Sequence, residues 1–354
     1  MKKVLVVGFG SIGKRHVINL LTHSNVKIIV LTKRKNIKLE KIGKQKKISL
    51  LKSDKFGIPP NEIEIPHGKY LKFFNSLDQC LAEKPDIGFI TNETRYHVPT
   101  MMKLIGAGLD LFIEKPVSDS MIGLEKISKM IKQKRLITQI GCNFRFHPCI
   151  KKIRHLVQTK SIGRVISVQL EHGSYLPDYH PWEDYQYSYS AQKKLGGGVI
   201  LSQIHDLDYL YWIFGDVNEV FAISGKFSDL QTDTEDFATI TLRFKNNIIG
   251  HIHLDWFQRP YFRSCKIKGT DGMIYWDSDS NRVKLFNSKE NKWNIILNAK
   301  NYQKNTMYVD EIKYFLKCLR KRENTINGIE DGIRTLQIAL AIKRASKLKK
   351  IVKP

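Results

Sequence analysis

The first 145 residues alternate between short apolar runs and segments whose apolar residues recur at helical spacing. Runs rich in β-branched residues predict strands, and helical spacing predicts the helices that cover them. The predicted strands are Lys3–Val7, Val26–Leu31, Ile87–Thr91, Leu109–Glu114 and Thr138–Cys142. The predicted helices extend from the first glycine turn to Leu21, and over Thr100–Ala107 and Ser120–Lys132. This alternation predicts an α/β domain over residues 1–145, with a parallel sheet covered on both faces.

The pattern changes after residue 145. The next predicted elements are a helix over Pro148–Thr159, a strand over Val165–Gly173, an aromatic, turn-rich loop over Ser174–Ser190 and a helix over Val199–Phe214. Further strands are predicted over Val217–Ser224, Ala238–Phe244, Ile248–Trp256, Phe262–Lys268, Met273–Trp276 and Val283–Phe286, and two amphipathic helices over Tyr308–Arg320 and Ile329–Lys347. Turn-separated strands beside a few helices predict an α+β domain over residues 146–354 with a mostly antiparallel, open sheet. The two C-terminal helices can pack back on the first domain.

The chain carries a large excess of positive charge. Lys and Arg number 59 against 34 Asp and Glu, a formal net charge of +25. The most basic stretches, residues 33–55 and 343–353, contain no aromatic residue, so we interpret them as solvated faces rather than as a nucleic-acid surface. We therefore expect no nucleic-acid partner, although a positive field attracts anionic substrates and phosphorylated cofactors.

Other features of the sequence bound the class of protein. The N-terminal apolar run ends at Val7, too short for a signal peptide, and no apolar run is long enough to cross a membrane. The five cysteines are scattered without a Cys-x-x-Cys pair, so we expect neither a disulfide framework nor a metal site. We expect a cytoplasmic protein without a membrane partner, and two domains because 354 residues exceed what one core usually serves.

The hexapeptide at residues 8–13, Gly-Phe-Gly-Ser-Ile-Gly, stands between the first predicted strand and the first predicted helix. This position and spacing are typical of the dinucleotide-binding Rossmann fold. The first glycine permits a tight turn, the second lets the backbone approach a pyrophosphate, and the third lets helix and strand pack closely. We predict that Gly8, Gly10, Ser11, Ile12 and Gly13 bind the phosphates of a nicotinamide dinucleotide at the helix N-terminus.

The end of the second predicted strand indicates which nicotinamide cofactor binds. An acidic residue there accepts the ribose 2′-hydroxyl of NAD, whereas Arg or Lys pairs with the 2′-phosphate of NADP. This chain has Thr32, Lys33 and Arg34 there, and no carboxylate. We predict NADP in preference to NAD, and NAD stays open because a Lys-rich loop also places basic residues here by chance.

Several further motifs, in order along the chain, carry a resemblance to a known family. They are Thr91-Asn92 with His97, Glu114-Lys115-Pro116, Asn143-Phe144-Arg145, the glycines at 196–198, and His205-Asp206-Leu207-Asp208. Together with the N-terminal glycines and the segment 328–345, they resemble the glucose-fructose oxidoreductase and inositol dehydrogenase family (Gfo/Idh/MocA) over nearly the whole chain. The resemblance implies a nicotinamide-dependent dehydrogenase or reductase that acts on CH–OH groups, usually of a sugar, a sugar derivative or a cyclitol.

The resemblance also implies roles for individual residues. Lys115 would lie near the reacting oxygen, where a cation stabilises developing negative charge, and His205 would accept or return the hydroxyl proton. Asp208, one helical turn beyond His205, would orient its ring or form an ordinary contact along the helix. By the same resemblance, the cofactor contacts would include Thr91, Asn92, His97, Glu114, Lys115 and Asn143.

One position departs from the family's pattern. Many members carry an aspartate between the glycines and the histidine, but this chain has Ser202, and a serine cannot act as a base near neutral pH. The reaction could use Lys115 and His205 alone, or a carboxylate from the aromatic loop could substitute. The candidate carboxylates are Asp178, Glu183 and Asp184. The remaining alternative is a non-catalytic, regulatory protein that binds a dinucleotide.

The aromatic loop predicts a substrate site. Ring faces cover the C–H patches of a sugar, so we assign Tyr179 and Trp182 to substrate binding, together with Ser202 and Asp206. The same rings could instead pack a domain junction or a subunit contact. Arg145 and His147 would meet an anionic group, which favours an acidic or nucleotide-linked sugar.

The resemblance further places such a reaction in surface-polysaccharide or unusual-sugar synthesis, and the partner is a small carbohydrate. The predicted sheet of the second domain, if open-faced and apolar, would pair with a copy of itself. We therefore expect a homodimer or a homotetramer.

Overall fold

The computed structural model describes residues 1–33, 70–179 and 184–354, and the backbone alone of three strands between residues 37 and 65. The chain forms two compact units. The first contains Met1–Gly141 and Tyr308–Gly332, and the second contains Cys142–Met307 and Ile333–Pro354. The chain therefore passes from the first unit to the second twice.

The first unit is built on a parallel sheet. Its strands are β1 (Lys3–Val7), β2 (Lys27–Leu31), β3 (Ile37–Ile42), β4 (Gln45–Leu50), β5 (Glu62–Ile65), β6 (Tyr70–Phe74), β7 (Ile87–Ile90), β8 (Asp110–Glu114) and β9 (Thr138–Gly141). Six of them form one sheet in the order β6-β2-β1-β7-β8-β9, with every neighbouring pair parallel. Strands β3, β4 and β5 form a separate antiparallel sheet. The predicted parallel α/β domain is confirmed.

Four helices accompany these strands. They are α1 (Ser11–His23), α2 (Leu77–Ala82), α3 (His97–Gly106) and α4 (Leu124–Lys134). Helix α3 starts three residues before the predicted start because Pro99 fits the first turn of a helix. Helix α4 starts four residues after the predicted start, following Gly123, whose φ of 83° lies in the left-handed region that favours glycine.

The core of the first unit contains stacked aromatic rings. The rings of Phe89 on β7 and Phe112 on β8 are parallel, with centroids 4.6 Å apart. Phe315, from the helix over Lys304–Lys321, meets both rings edge-on at 6.0 and 5.8 Å. A helix from the end of the sequence therefore completes the core of the first sheet.

The second unit is built on an eight-stranded sheet. Its strands are β10 (Val165–Tyr175), β11 (Val217–Gly225), β12 (Phe237–Phe244), β13 (Ile249–Asp255), β14 (Phe257–Gly269), β15 (Gly272–Asp277), β16 (Arg282–Asn287) and β17 (Lys292–Asn298). Their order is β11-β12-β13-β10-β14-β15-β16-β17, and only β10 and β13 pair in parallel. The predicted mostly antiparallel sheet is confirmed, with β17 as an unpredicted edge strand.

The helix predicted over Val199–Phe214 is in fact two helices. The helices of this part of the chain are α5 (Pro148–Gln158), α6 (Leu176–Tyr179), α7 (Val199–Ser202) and α8 (His205–Phe214). The break falls at Gln203, whose φ of −95° and ψ of 23° leave the helical region. Its buried side-chain amide donates to Ser174 Oγ and to the carbonyl oxygen of Asp255, both at 3.3 Å. These bonds hold the break, which makes His205 the first residue of α8.

The two longest helices close the chain. They are α9 (Lys304–Lys321, 18 residues) and α10 (Ile329–Leu348, 20 residues). Both contain several charged residues. In the described parts of the chain, no helix combines the length and the apolar composition needed to cross a membrane.

Candidate active site

The glycine motif forms the turn between β1 and α1. Gly8 has a φ of 100°, and a Cβ built on it would lie 2.7 Å from the backbone nitrogen of Asn92. A Cβ on Gly13 would lie 2.2 Å from the carbonyl oxygen of Gly8. No side chain tolerates contacts this short, so the close packing of turn, strand and helix requires glycine at positions 8 and 13.

Gly10 serves a different purpose, because open space lies where its side chain would be. Apart from its neighbours along the chain, no atom of the described residues lies within 4 Å of a Cβ built there. Gly10 is the N-cap of α1, no side chain caps this helix, and its first turn contains no acidic residue. The N–H groups of the first turn, including those of Ser11 and Ile12, therefore suit an anion such as a pyrophosphate.

The end of β7 lies against this turn. Thr91 Oγ1 donates to the carbonyl oxygens of Val7 at 3.0 Å and Gly8 at 2.8 Å. The side-chain nitrogen of Asn92 donates to Thr100 Oγ1 at 3.1 Å, while its Oδ1 is buried with no partner among the described residues. A buried acceptor without a donor costs free energy, and a hydroxyl or amide of a dinucleotide would supply the donor. The open space at Gly10 and the orphaned Asn92 oxygen both fit a bound dinucleotide.

His97 does not offer its ring to a ligand. The residue is 1% exposed, its Nδ1 lies 2.9 Å from the carbonyl oxygen of Pro116, and its Nε2 lies 2.9 Å from that of Asn92. The predicted contact of His97 with the cofactor therefore does not run through a ring nitrogen, because main-chain oxygens occupy both. The resemblance located the segment but not the direction of this side chain.

Glu114, the last residue of β8, is held by a buried partner that the sequence analysis missed. Its Oε1 lies 2.6 Å from Nε2 of His16, which is fully buried on α1. The backbone N–H of Lys115 donates to the other carboxylate oxygen at 3.3 Å. A Cβ on Gly141 would lie 3.0 Å from Glu114 Oε1, so the glycine leaves room for the carboxylate. The signal for His16 was its place three residues after Gly13, on the buried face of α1.

Three predicted site residues of the first unit lie at the same end of the parallel sheet, the end at which its strands finish. Strands β1, β7 and β8 are adjacent and parallel, so Gly8, Asn92 and Lys115 all follow the carboxyl ends of neighbouring strands. Ligands of open parallel sheets bind at this edge. Lys115 is half-buried there. The first unit therefore brings the predicted dinucleotide turn and the predicted catalytic lysine together.

In the second unit, His205 lies beside an aromatic side chain and is half-buried. The centroid of its ring is 5.5 Å from that of Phe144. The guanidinium of Arg263, on β14, lies 4.0 Å from the centroid of the Phe144 ring. Asn143, next to Phe144, is 1% exposed, and its side-chain oxygen has no partner among the described residues. The predicted roles of His205 and Asn143 stay predictions.

Arg145 and Asp208 form a buried ion pair. The guanidinium Nε and Nη2 each donate to one carboxylate oxygen at 2.8 Å, and the two residues are 0% and 1% exposed. The prediction that Arg145 meets an anionic substrate is corrected, because its anion is Asp208 of the same chain. The suggestion that Asp208 orients His205 is likewise replaced by this pairing. His147 supplies no charge either, because burial and Arg263 lower its pKa to about 4.

Asp206 is equally enclosed, which corrects its assignment to substrate binding. Its carboxylate lies 2.6 Å from His172 Nδ1, accepts from the Tyr209 hydroxyl at 2.8 Å, and lies 3.3 Å from Nε of Arg263. Burial would raise the pKa of Asp206, but Arg263, His172 and Tyr209 outweigh it and hold the pKa below its usual range. His172 and Arg263 face each other on β10 and β14, a pairing that no sequence motif signalled.

Comparison with protein families decides which group the chain belongs to. Residues 2–142 match the Gfo/Idh/MocA model of an oxidoreductase family with an NAD-binding Rossmann fold. Residues 150–275 match the model of the C-terminal domain of the same family. The chain belongs to the Gfo/Idh/MocA family. The resemblance found in the sequence is confirmed, and so is the prediction of an oxidoreductase with an NAD-binding Rossmann domain.

Individual family members are similar over most of the chain. Myo-inositol 2-dehydrogenase from Thermotoga maritima is 26% identical over 284 residues, which cover 77% of this chain and 81% of that protein. A solved structure of levoglucosan dehydrogenase in complex with NADH and levoglucosan has a TM-score of 0.82 at 14% identity, with 99% of both chains covered. A myo-inositol 2-dehydrogenase structure from Lactobacillus plantarum has a TM-score of 0.77 at 17% identity and the same coverage. These structural likenesses support the fold.

Of the three residues predicted to distinguish NADP from NAD, the structure describes Thr32 and Lys33. Thr32 is 8% exposed, and its backbone N–H donates to the carbonyl oxygen of Phe74 at 3.0 Å. Lys33 is exposed. Arg34 lies outside the described residues. Neither described position carries a carboxylate, and the preference for NADP stays a prediction.

The position at which the resemblance expects an aspartate is buried in this chain. Ser202 is 2% exposed, and its hydroxyl donates to Ser190 Oγ at 3.3 Å. Of the proposed substitutes, Asp178 is exposed and Asp184 accepts the backbone N–H of Gln186 at 3.0 Å in a local turn. Tyr179 is 39% exposed. Trp182 and Glu183 lie outside the described residues.

A matched pair of glycine variants tests the dinucleotide turn. Gly10→Ala should fold normally and weaken cofactor binding by about tenfold or more, because its Cβ enters the space that the phosphates need. Gly13→Ala should lower the free energy of unfolding by about 1–3 kcal/mol, because its Cβ meets the carbonyl oxygen of Gly8. Thermal unfolding and titration with reduced cofactor separate the two effects. Unchanged affinity in Gly10→Ala would place the phosphates elsewhere.

Proposed function

We propose that this protein is an NADP-preferring oxidoreductase of a sugar, a sugar derivative or a nucleotide-linked sugar. It transfers hydride between the nicotinamide and a carbon that carries a hydroxyl or keto group. The names of its relatives, a myo-inositol and a levoglucosan dehydrogenase, support a polyhydroxylated ring as the substrate.

One arrangement carries the proposal. Lys115 follows β8 at the same sheet edge as the Gly8 turn and Asn92, which have the space and the orphaned acceptor that a dinucleotide fits. A half-buried cation at the carboxyl edge of a Rossmann sheet suits an oxygen that becomes negative during reaction. A protein that only sensed a dinucleotide would not need a cation at a reacting oxygen.

The two assigned residues divide the chemistry. The nicotinamide, when bound, supplies the carbon that takes or gives the hydride. We assign to Lys115 the stabilisation of charge on the reacting oxygen, because an ammonium group donates hydrogen bonds and carries a fixed positive charge. We assign to His205 the transfer of the hydroxyl proton, because an imidazole titrates near neutral pH. His205 is half-buried at the start of α8.

In this proposal, Lys115 and His205 act without a carboxylate from α7 or α8. Ser202 is buried against Ser190, and Asp206 and Asp208 are occupied by buried cations. The second candidate, a regulatory dinucleotide-binding protein, is favoured only by Ser202. The two differ in turnover: a panel of sugars, cyclitols and sugar acids with each oxidised cofactor should yield reduced cofactor for the enzyme and none for the regulator.

The preference for NADP rests on the residues after β2. We propose that Lys33 pairs with the 2′-phosphate, since it is exposed and no acidic residue is present at position 32 or 33. Lys33→Glu should weaken NADPH binding by about tenfold, about 1.4 kcal/mol, and leave NADH binding unchanged or improved. Lys126→Glu, the same charge change on the exposed surface of α4, is the control. Equal affinity of the unsubstituted protein for NADH and NADPH would contradict the preference.

We also propose that the protein is a homodimer or homotetramer that pairs through the sheet of the second unit. Edge residues of this sheet expose large apolar side chains, among them Ile223 at 52% and Ile295 at 55%. Covering such side chains with a second copy removes apolar surface from water. Light scattering of the purified protein gives the mass, and a monomeric mass at micromolar concentration would contradict the proposal.

A further inference from the structure

His97 connects two segments that both serve the proposed site. It is the first residue of α3, and its ring lies between the carbonyl oxygen of Asn92, after β7, and that of Pro116, after β8. Both oxygens are 2.9 Å from a ring nitrogen. The ring thus bridges the exits of two adjacent parallel strands at the edge where ligands of such sheets bind.

Each end of the bridge leads to a functional group. The backbone of Asn92 lies so close to the dinucleotide turn that a Cβ on Gly8 would be 2.7 Å from it. Pro116 directly follows Lys115, whose backbone N–H is bound by the Glu114 carboxylate. His16 binds that carboxylate from α1. The Lys115 turn is therefore held on one side by Glu114 and on the other by His97.

The two carbonyl contacts are not equivalent. A neutral imidazole donates one hydrogen bond, and burial lowers the pKa of His97 although the two carbonyls and Glu114 oppose it. The contact with Pro116 is fully buried, whereas the contact with Asn92 is partly exposed. A buried carbonyl that loses its donor is costly, while a partly exposed one can turn to water. The proton therefore belongs on Nδ1, facing Pro116.

We propose that His97 is a positioning residue that fixes the Lys115 turn through a hydrogen bond from Nδ1 to the carbonyl oxygen of Pro116. The inference rests on the proposed role of Lys115 and deepens it. Both ring nitrogens face main-chain oxygens, so the ring itself takes no part in the proposed chemistry. It acts by keeping the lysine at a constant position relative to the dinucleotide turn, and displacement of a catalytic group by about 1 Å costs on the order of 100-fold in rate.

Three substitutions separate positioning from simple packing. The side-chain nitrogen of asparagine takes the place of Nδ1, and that of glutamine takes the place of Nε2. His97→Asn should therefore keep kcat within about threefold, whereas His97→Gln and His97→Leu should lower it by about 10- to 100-fold with KM and cofactor affinity little changed. If His97 only filled the core, kcat would follow the loss of thermal stability in all three variants. That result, or full activity of His97→Leu, would overturn the inference.

A labelling experiment keeps this test independent of turnover. Competitive acetylation of the full-length protein, read by mass spectrometry, reports the reactivity of Lys115 relative to exposed Lys126 as an internal standard. The inference expects at least a threefold change at Lys115 in His97→Gln and His97→Leu, with His97→Asn matching the unsubstituted protein. Unchanged reactivity in all three variants overturns it. If Lys115→Ala retains turnover, the proposed function fails, yet the labelling result still decides whether His97 positions the lysine.

Discussion

Replacing Lys115 by alanine is expected to lower kcat by about 10²- to 10³-fold, because the variant loses the cation that stabilises negative charge on the reacting oxygen. The dinucleotide turn and Asn92 are untouched, so the dissociation constant of the reduced cofactor should change by less than about threefold. Steady-state kinetics with any active sugar and fluorescence titration with NADPH measure the two quantities.

The conservative variant sharpens this prediction. Lys115→Arg keeps the positive charge in a different shape and should recover part of the lost kcat, whereas Lys115→Met should not. Lys126→Ala, on the exposed face of α4, is the control for loss of a lysine. A kcat of Lys115→Ala within tenfold of the unsubstituted protein would remove Lys115 from the chemistry.

Replacing Arg145 by methionine is expected to destabilise the protein by about 3–5 kcal/mol, because it leaves the carboxylate of Asp208 buried without its partner. The melting temperature should fall by roughly 10 °C. Adding Asp208→Leu should recover most of the loss, since a pair of apolar residues no longer buries a lone charge. Thermal and urea unfolding of the single and double variants give the coupling free energy between Arg145 and Asp208.

The control for this prediction is an exposed pair. Lys129 and Glu125 lie one turn apart on α4 at 2.6 Å, and both side chains are largely exposed. Lys129→Met should leave the melting temperature unchanged within error, because exposed pairs contribute little. If Arg145→Met were as stable as Lys129→Met and instead lost affinity for an anionic sugar, the correction of Arg145 from ligand contact to structural residue would itself be wrong.

Much of the fold could be predicted because its strands bury continuous or alternating apolar runs. Five strands were missed. Two of them, β6 and β17, lie at the edges of the two large sheets, where this signal is weak. In β17, Trp293 and Ile295 are 46% and 55% exposed, so neither belongs to a buried face. In β6, Lys72 interrupts the apolar run. The break between α7 and α8 was missed because Gln203 holds it through contacts with β10 and β13, which are distant in sequence.

The candidate site also contains some residues that the sequence predicted and others whose contacts it did not predict. The glycine turn and Lys115 could be predicted, because local motifs place them at strand ends. The directions of His97, Arg145 and Asp206 could not, because their partners come from other elements. Asp208 lies 63 residues after Arg145, and Arg263 reaches Asp206 only through the register of β14 with β10. Motifs therefore located the functional segments, while long-range pairing decided which side chains are structural.

Transfer of deuterium tests the central claim most directly. The protein is incubated with NADPH in which both hydrogens at the reactive nicotinamide carbon are deuterium, together with a panel of keto-sugars and keto-cyclitols. The mass of each product is measured by mass spectrometry. We expect at least one reduced product to carry one deuterium with the unsubstituted protein and none to form with Lys115→Ala. Tight binding of NADPH with deuterium retained on the cofactor across the whole panel would contradict the account and favour a regulatory protein.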